Sequence, residues 1–354
     1  MQDIRIEQIT FTRFIAAITI VIFHFGGEVT PFNSELLKKM FQNADIGVSY
    51  FFILSGFIMV LVYSKKGHVR PIEYYQSRFA RIYPLYFIAL LLCHLAILLK
   101  LLSFDFYGLL LNIFMVQAWL PGKALSVNSP GWSLSAEILF YGLFPFLLSF
   151  YRKVSIYTVL VITLLLFLVS QLIMYRLLFS AFYKGYPSPS HDLIFYHPLM
   201  HLNEFVTGNV TGLFFLKYLS QQTRKNEILI FLVGIILLAL LYFPIGLNVH
   251  NGFMAIVFVP LIVLISSDNG IISTIFSQRP FVFLGEISYG IYILQAPTFV
   301  LSKKILAVIG ITNPDLTFYS YLLILTLVSS ITYIYIERPL RNLINGIRLT
   351  SGTG

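Results

Sequence analysis

Charge is what this 354-residue chain has least of: Asp, Glu, Lys and Arg together make up 11% of it, against about 25% in an ordinary soluble domain. Hydrophobic residues make up 58%, above the roughly 45–50% usual for such domains. That balance excludes a soluble enzyme. Cysteine is nearly absent too. Cys93 stands alone, so neither an intrachain disulfide nor a cysteine-based zinc site can form. No soluble extension, internal repeat or low-complexity tract is expected, and the first apolar run, Ile9 to Phe25, lacks a small-residue cleavage pattern after it. It is expected to stay as the first span rather than to be removed as a signal.

What is abundant is apolar sequence, about 205 residues of it, close to ten spans of about 20 residues each. Apolar stretches run over 9–26, 46–63, 82–99, 131–151, 154–175, 195–216, 227–244, 251–267, 283–302 and 316–336. An eleventh run, 104–120, is short and holds Asn112 and Gln117. Lys and Arg number 24 against 15 Asp and Glu, a net +9, and in so apolar a chain that excess reads as loop charge kept on the cytoplasmic side, with no need for a nucleic-acid partner. Lys65, Lys66, Arg70, Arg78 and Arg81 follow the second span. Arg152, Lys153, Lys217, Arg224, Lys225, Arg279, Arg338, Arg341 and Arg348 join them on one side only if 104–120 does not cross. The expected fold is therefore all-α: a polytopic membrane helix bundle of about ten transmembrane helices plus one short re-entrant or interfacial segment. A single domain over 1–345 and a short cytoplasmic tail at 346–354 are expected, with both termini cytoplasmic.

Several polar residues sit where only function or internal pairing would keep them. Arg13 and His24 lie eleven residues apart on one predicted helix; eleven steps of about 100° return them to one face, about 16 Å apart. A buried Arg is expected to face the bundle interior rather than lipid. Ser133, Glu137 and Tyr141 recur every four residues as a polar stripe, with Glu137 expected to orient or charge His24 or to bind a hydroxyl. Arg78 and Arg81, three apart near a helix start, can clamp phosphates with forked donors or serve topology alone. His197, His201 and Glu204 have the spacing of one helical face, but no metal is expected there. Glu337 and Arg338 read as a local ion pair, with Pro339 ending the last helix.

These residues belong to longer motifs: Gly47 to Phe57, Arg78 to Pro84, Trp132 to Tyr141, Leu284 to Tyr292, and Glu337, Arg338 and Pro339. In that order, with the Arg13–His24 pair, they resemble the acyltransferase 3 family of membrane acyltransferases over nearly the whole chain. The resemblance implies a ten-span bacterial inner-membrane protein that moves an acyl group, commonly acetyl, from cytoplasmic acyl-CoA to a hydroxyl of a cell-envelope or exported molecule. It implies Arg13 and His24 at the reaction and Arg78 and Arg81 on the acetyl-CoA donor; from their positions, Glu137 is expected to join the reaction and Arg13 also to hold the donor. Ser55, Trp132, Ser133, Tyr141, His201 and Glu204 are expected to meet the glycan or lipid-linked glycan acceptor. Gln295 departs from the pattern, since many relatives carry His there, and no catalytic role is assigned to it. Direct transfer and a covalent acyl intermediate on His24, Ser55 or Ser133 both remain open. So does self-association, and a transporter of a lipid-linked sugar is the competing class.

Overall fold

A computed structural model describes residues 6–66, 70–243 and 249–343. The α-helices are, in chain order, α1 (Gln8–Phe25), α2 (Glu35–Phe41), α3 (Gly47–Tyr63), α4 (Pro71–Leu98), α5 (Phe106–Ile113), α6 (Trp132–Tyr151), α7 (Ile156–Leu178), α8 (Pro189–Phe195), α9 (Leu202–Phe214), α10 (Glu227–Tyr242), α11 (Ala255–Ser267), α12 (Ile271–Phe276), α13 (Arg279–Val308) and α14 (Pro314–Thr332). The structure is 77% helical and without strands among the described residues. It is the all-α membrane helix bundle that the composition implies.

Each of the ten apolar stretches holds a helix. Seven segments are long and apolar enough to cross a membrane: α1, α3 with its leading turn, α4, α6, α7, α13, and α14 with its continuation to Leu343. Helices α10 and α11 are apolar but shorter. Helix α9 is the exception in chemistry, since Asn203, Glu204, Asn209 and Thr211 are all buried along it. It can carry them because it faces protein rather than lipid. The sixth stretch also begins later than expected, at Leu202, because residues 189–201 form α8 and a 3-10 turn instead.

The short run 104–120 does not span. Its one α-helix has 8 residues, about 12 Å at 1.5 Å per residue. Its two polar residues explain why it stays in place. Asn112 is fully buried, accepts from the Tyr86 hydroxyl at 2.8 Å and donates to Ser126 Oγ at 3.0 Å. Gln117 donates to the Gly131 carbonyl at 2.7 Å, and Asn128 to the Ile293 carbonyl on α13 at 3.1 Å. The loop from α5 to α6 is thus tied to the bundle by side-chain amides. The Asp105 carboxylate caps α5 through the Gly108 N–H; the Lys123 ammonium, 2.8 Å away, and that N–H hold its carboxyl below the usual aspartate value.

Helices α3 and α9 pack backbone to backbone through glycine. A Cβ on Gly208 would lie 2.0 Å from the Ile53 carbonyl oxygen, and one on Gly56 would lie 2.2 Å from that of Phe205. Such small residues allow helices to approach closely without a water-driven hydrophobic force. The outward faces are apolar instead: Leu164, Leu165 and Leu168 on α7 and Ile228, Phe231 and Leu232 on α10 are exposed, as lipid-facing surface requires. The expected tail, 346–354, lies outside the described residues. Gly208→Ala should lower the melting temperature in detergent, by the roughly 1–3 kcal/mol typical of overpacking. Gly142→Ala, where a Cβ meets nothing within 4 Å, should leave it unchanged; equal losses in both variants would contradict this packing.

Candidate functional site

Among the described residues the bundle holds a cavity toward each end of α1. The first, about 340 Å³, opens near the start of α1 and is walled by α1, α3, α4, α6, α13 and the extension of α14. Four arginines line it: Arg13, Arg78, Arg81 and Arg341. Three carboxylates face them: Glu137, Glu286 and Glu337. Arg78 donates to the Tyr63 hydroxyl and to Met59 Sδ, both at 3.3 Å, and lies over the Tyr63 and Tyr141 rings. Arg81 is open to the cavity. Glu137 lies in the field of Arg81, Arg13 and Arg78, beside Tyr141 on the same cavity wall. Such an array offers several forked donors around one cavity, which suits a phosphate-bearing ligand.

The second cavity, about 570 Å³, lies at the other end of α1. His24, Asp45, Trp132, His191, Tyr196 and His201 are among its walls. His24 is the open end of α1's inner face. Its Nδ1 stands 2.8 Å from Gln295 Oε1, and Gln295 Nε2 donates to the Tyr292 carbonyl at 2.7 Å. Trp132 packs against the Tyr196 ring at 5.0 Å and the His201 ring at 5.1 Å. His201 is otherwise spent. Its Nε2 lies 2.9 Å from the Phe195 carbonyl and its Nδ1 2.8 Å from Glu204 Oε2. A carbonyl can only accept, so Nε2 donates there, and Nδ1 is engaged by the Glu204 carboxyl. Both ring nitrogens are thus already partnered inside the protein. His24 differs in that, among the described residues, only its Nδ1 has a hydrogen-bond partner, and its side chain lines the cavity.

The two cavities share Val48 and Tyr292 as lining. The Tyr292 hydroxyl is held at 3.1 Å from the Pro130 carbonyl and 3.0 Å from Ser133 Oγ, at the start of α6. Arg13 and His24 thus serve adjacent compartments on one line through the bundle.

Several expectations need correction. Glu137 is not with His24: it faces the arginines one cavity away, because the stripe Ser133, Glu137 and Tyr141, together with Ser55, points into the first compartment. Of the expected acceptor contacts only Trp132 and His201 line the second, and Glu204 lies fully buried behind His201. Arg78 and Arg81 are not near a helix start, since α4 begins at Pro71 and carries them two to three turns in. His197 does not continue the face of His201 and Glu204, because residues 198–201 form a 3-10 turn ahead of α9; its ring instead packs edge-on against Trp119 at 5.1 Å. Glu337 faces Arg13, Arg341 and Arg81 rather than Arg338. Nor does Pro339 end the helix. A π turn at Tyr333–Glu337 precedes it, and its shifted bonding absorbs the missing N–H, so the helix runs on to residue 343.

Sequence reasoning missed the last-helix contribution. Tyr333, Glu337 and Arg341 recur every four residues and share the cavity wall, a periodicity readable without coordinates. Gln295 left no such signal.

A model of the acyltransferase domain matches residues 6–335. The chain belongs to the acyltransferase 3 family. Among its relatives, the exopolysaccharide production protein ExoZ of Rhizobium meliloti (strain 1021) is 28% identical over 326 residues, 90% of this chain and 96% of that protein. Acyltransferase MdmB of Streptomyces mycarofaciens is 30% identical over 166 residues, 43% of this chain and 42% of MdmB, so the matched part spans less than half of that relative. No solved structure matches. Family membership decides for a membrane acyltransferase over a transporter, and the apolar helices agree with an integral membrane protein.

His191, which also lines the second cavity, lies outside the spans on α8. Burial lowers the pKa of His191 below the usual 6.5, with His250 adding and Asp192 and Asp45 opposing. The folded state therefore prefers the neutral ring, and stability is lost as pH falls through about 6.5, the unfolded value. NMR titration of His191 should give a midpoint below 6.5; a midpoint above it would contradict the burial seen here.

Proposed function

We propose that this acyltransferase 3 protein is an acetyl-CoA-dependent O-acetyltransferase of the bacterial inner membrane, which esterifies a hydroxyl of an exported glycan. The observation that carries the proposal is the meeting of an arginine-lined cavity with a histidine-bearing one at Val48 and Tyr292. The name of ExoZ, matched over 90% of this chain, supports an exopolysaccharide as the class of acceptor.

The donor's phosphates dock on Arg78 and Arg81, with Arg13 deeper in the same cavity, on the face that the basic loops assign to the cytoplasm. The pantetheine arm extends along α1 toward Tyr292, bringing the thioester to the boundary. The acceptor hydroxyl enters the second cavity from the opposite face, beside Trp132. His24 Nε2 takes its proton as the oxygen attacks the thioester carbonyl carbon. The tetrahedral centre collapses, the C–S bond breaks, and the departing sulfur takes the proton back from His24. Products are the ester and free CoA, and the ring ends neutral as it began. Direct transfer is favoured over a serine intermediate because neither Ser55 nor Ser133 has a histidine partner among the described residues. Ser133 instead donates to the Pro130 carbonyl at 3.0 Å, and a serine nucleophile needs an adjacent base.

Cells carrying the wild-type chain should bear alkali-labile acetate on surface polysaccharide, and His24→Ala at matched expression should bear none. Full acetylation by that variant would sink the proposal. In membrane vesicles, Arg78→Ala with Arg81→Ala should raise KM for acetyl-CoA at least tenfold while changing KM for acetyl-pantetheine, which lacks the nucleotide, far less. Equal effects on the two donors would remove the phosphate role.

A further inference from the structure

We infer that Gln295 is a positioning residue that fixes the proton of His24 on Nδ1 and so keeps Nε2 free to act as base. This rests on the acyl-transfer reading of His24 given above. The amide of Gln295 has one accepting end and one donating end. Its nitrogen lies 2.7 Å from the Tyr292 carbonyl, which can only accept, so the NH₂ belongs on that side and Oε1 faces His24. A flipped amide would set two acceptors against each other. Oε1 in turn can only accept, so the hydrogen in the 2.8 Å contact belongs to His24 Nδ1. A neutral imidazole carries one such hydrogen, and the lone pair is therefore on Nε2.

The support behind the amide is rigid. Gln295 is fully buried on α13, and its own carbonyl accepts from the Tyr321 hydroxyl at 3.1 Å. Tyr292, one turn earlier, is pinned through its hydroxyl to Pro130 and Ser133 on the α6 side. Three elements thus hold one ring: α6 through Tyr292, α13 through Gln295, and α14 through Tyr321. An uncharged partner orients the imidazole while favouring its protonated form far less than a carboxylate in that place would. The other titratable groups on the same cavity are Asp45, His191, His201, His250, Tyr186, Tyr196 and Tyr292. None of them is hydrogen-bonded to His24 in the structure.

The test uses the full chain in lipid nanodiscs with ¹⁵N-labelled histidine. In the wild type, His24 Nδ1 should resonate as a protonated, pyrrole-type nitrogen and Nε2 as a pyridine-type one; Gln295→Leu should mix the two tautomers. A wild-type ring protonated on Nε2, or a pattern that Gln295→Leu leaves unchanged, would overturn the assignment. The wild-type spectrum alone decides this should the variant fail to fold. In vesicles given acetyl-CoA with a radiolabelled acetyl group, alkali-labile label on the vesicle polysaccharide reads turnover. Gln295→Leu should lower kcat roughly 10–100-fold, a loss usual when a histidine's orienting partner is removed, with KM for acetyl-CoA unchanged. Gln295→Glu should move the acid limb of the pH profile to higher pH, which a merely structural residue would not do. A correct tautomer in a protein that transfers no acetyl would leave Gln295 as the orienting partner and reject the base role of His24. Transfer that needs His24 but shows no response to either variant would reject Gln295 alone.

Discussion

Charge held inside a hydrocarbon slab is the constraint from which the rest of this architecture follows. An arginine at helix centre costs about 2.5–3.5 kcal/mol on insertion scales, and Arg13, Arg78 and Arg81 gather round one cavity rather than face lipid. The helices that carry them, α1 and α4, and those that bring carboxylates, α6, α13 and the end of α14, are consequently turned toward one another. Those with little to hide lie outside: α7 is almost wholly apolar and largely exposed. The glycine contact between α3 and α9 serves the same end. Close backbone approach closes the bundle around polar groups that water cannot reach.

Within that shell, polar side chains divide into those that are satisfied and those left available. His201 is bonded through both ring nitrogens and Arg78 is braced by Tyr63 and two aromatic faces, whereas His24 and Arg81 keep functional atoms open to a cavity. The distinction is chemical. A group whose donors and acceptors are all engaged can shape a wall but cannot exchange a proton or meet a new anion. Tyr292 is both: its hydroxyl is engaged with the start of α6, while its ring borders the two compartments and its carbonyl orients Gln295.

Much of the candidate site was legible from spacing. The eleven-residue interval between Arg13 and His24, the four-residue stripe on α6 and the three-residue arginine pair each survive as shared faces, because helical periodicity is a local property. What spacing misjudged was interruption. The 3-10 turn before α9 removes His197 from the face of His201, and the π turn after Thr332 carries the last helix past Pro339. Both depend on how neighbouring segments hold the backbone. The pairing of Gln295 with His24, 271 residues apart, had no local trace at all.

The amino-acid sequence by itself determined that this is a membrane helix bundle, where its helices lie and which polar residues must turn inward, because hydrophobicity and helical period act residue by residue. Only the tertiary structure decided which of those inward groups share a compartment: Glu137 with the arginines instead of His24, Glu204 behind His201, and an uncharged amide against His24. Those relations join helices far apart in the chain. They are set by the depth and rotation at which each helix packs, which no single segment specifies.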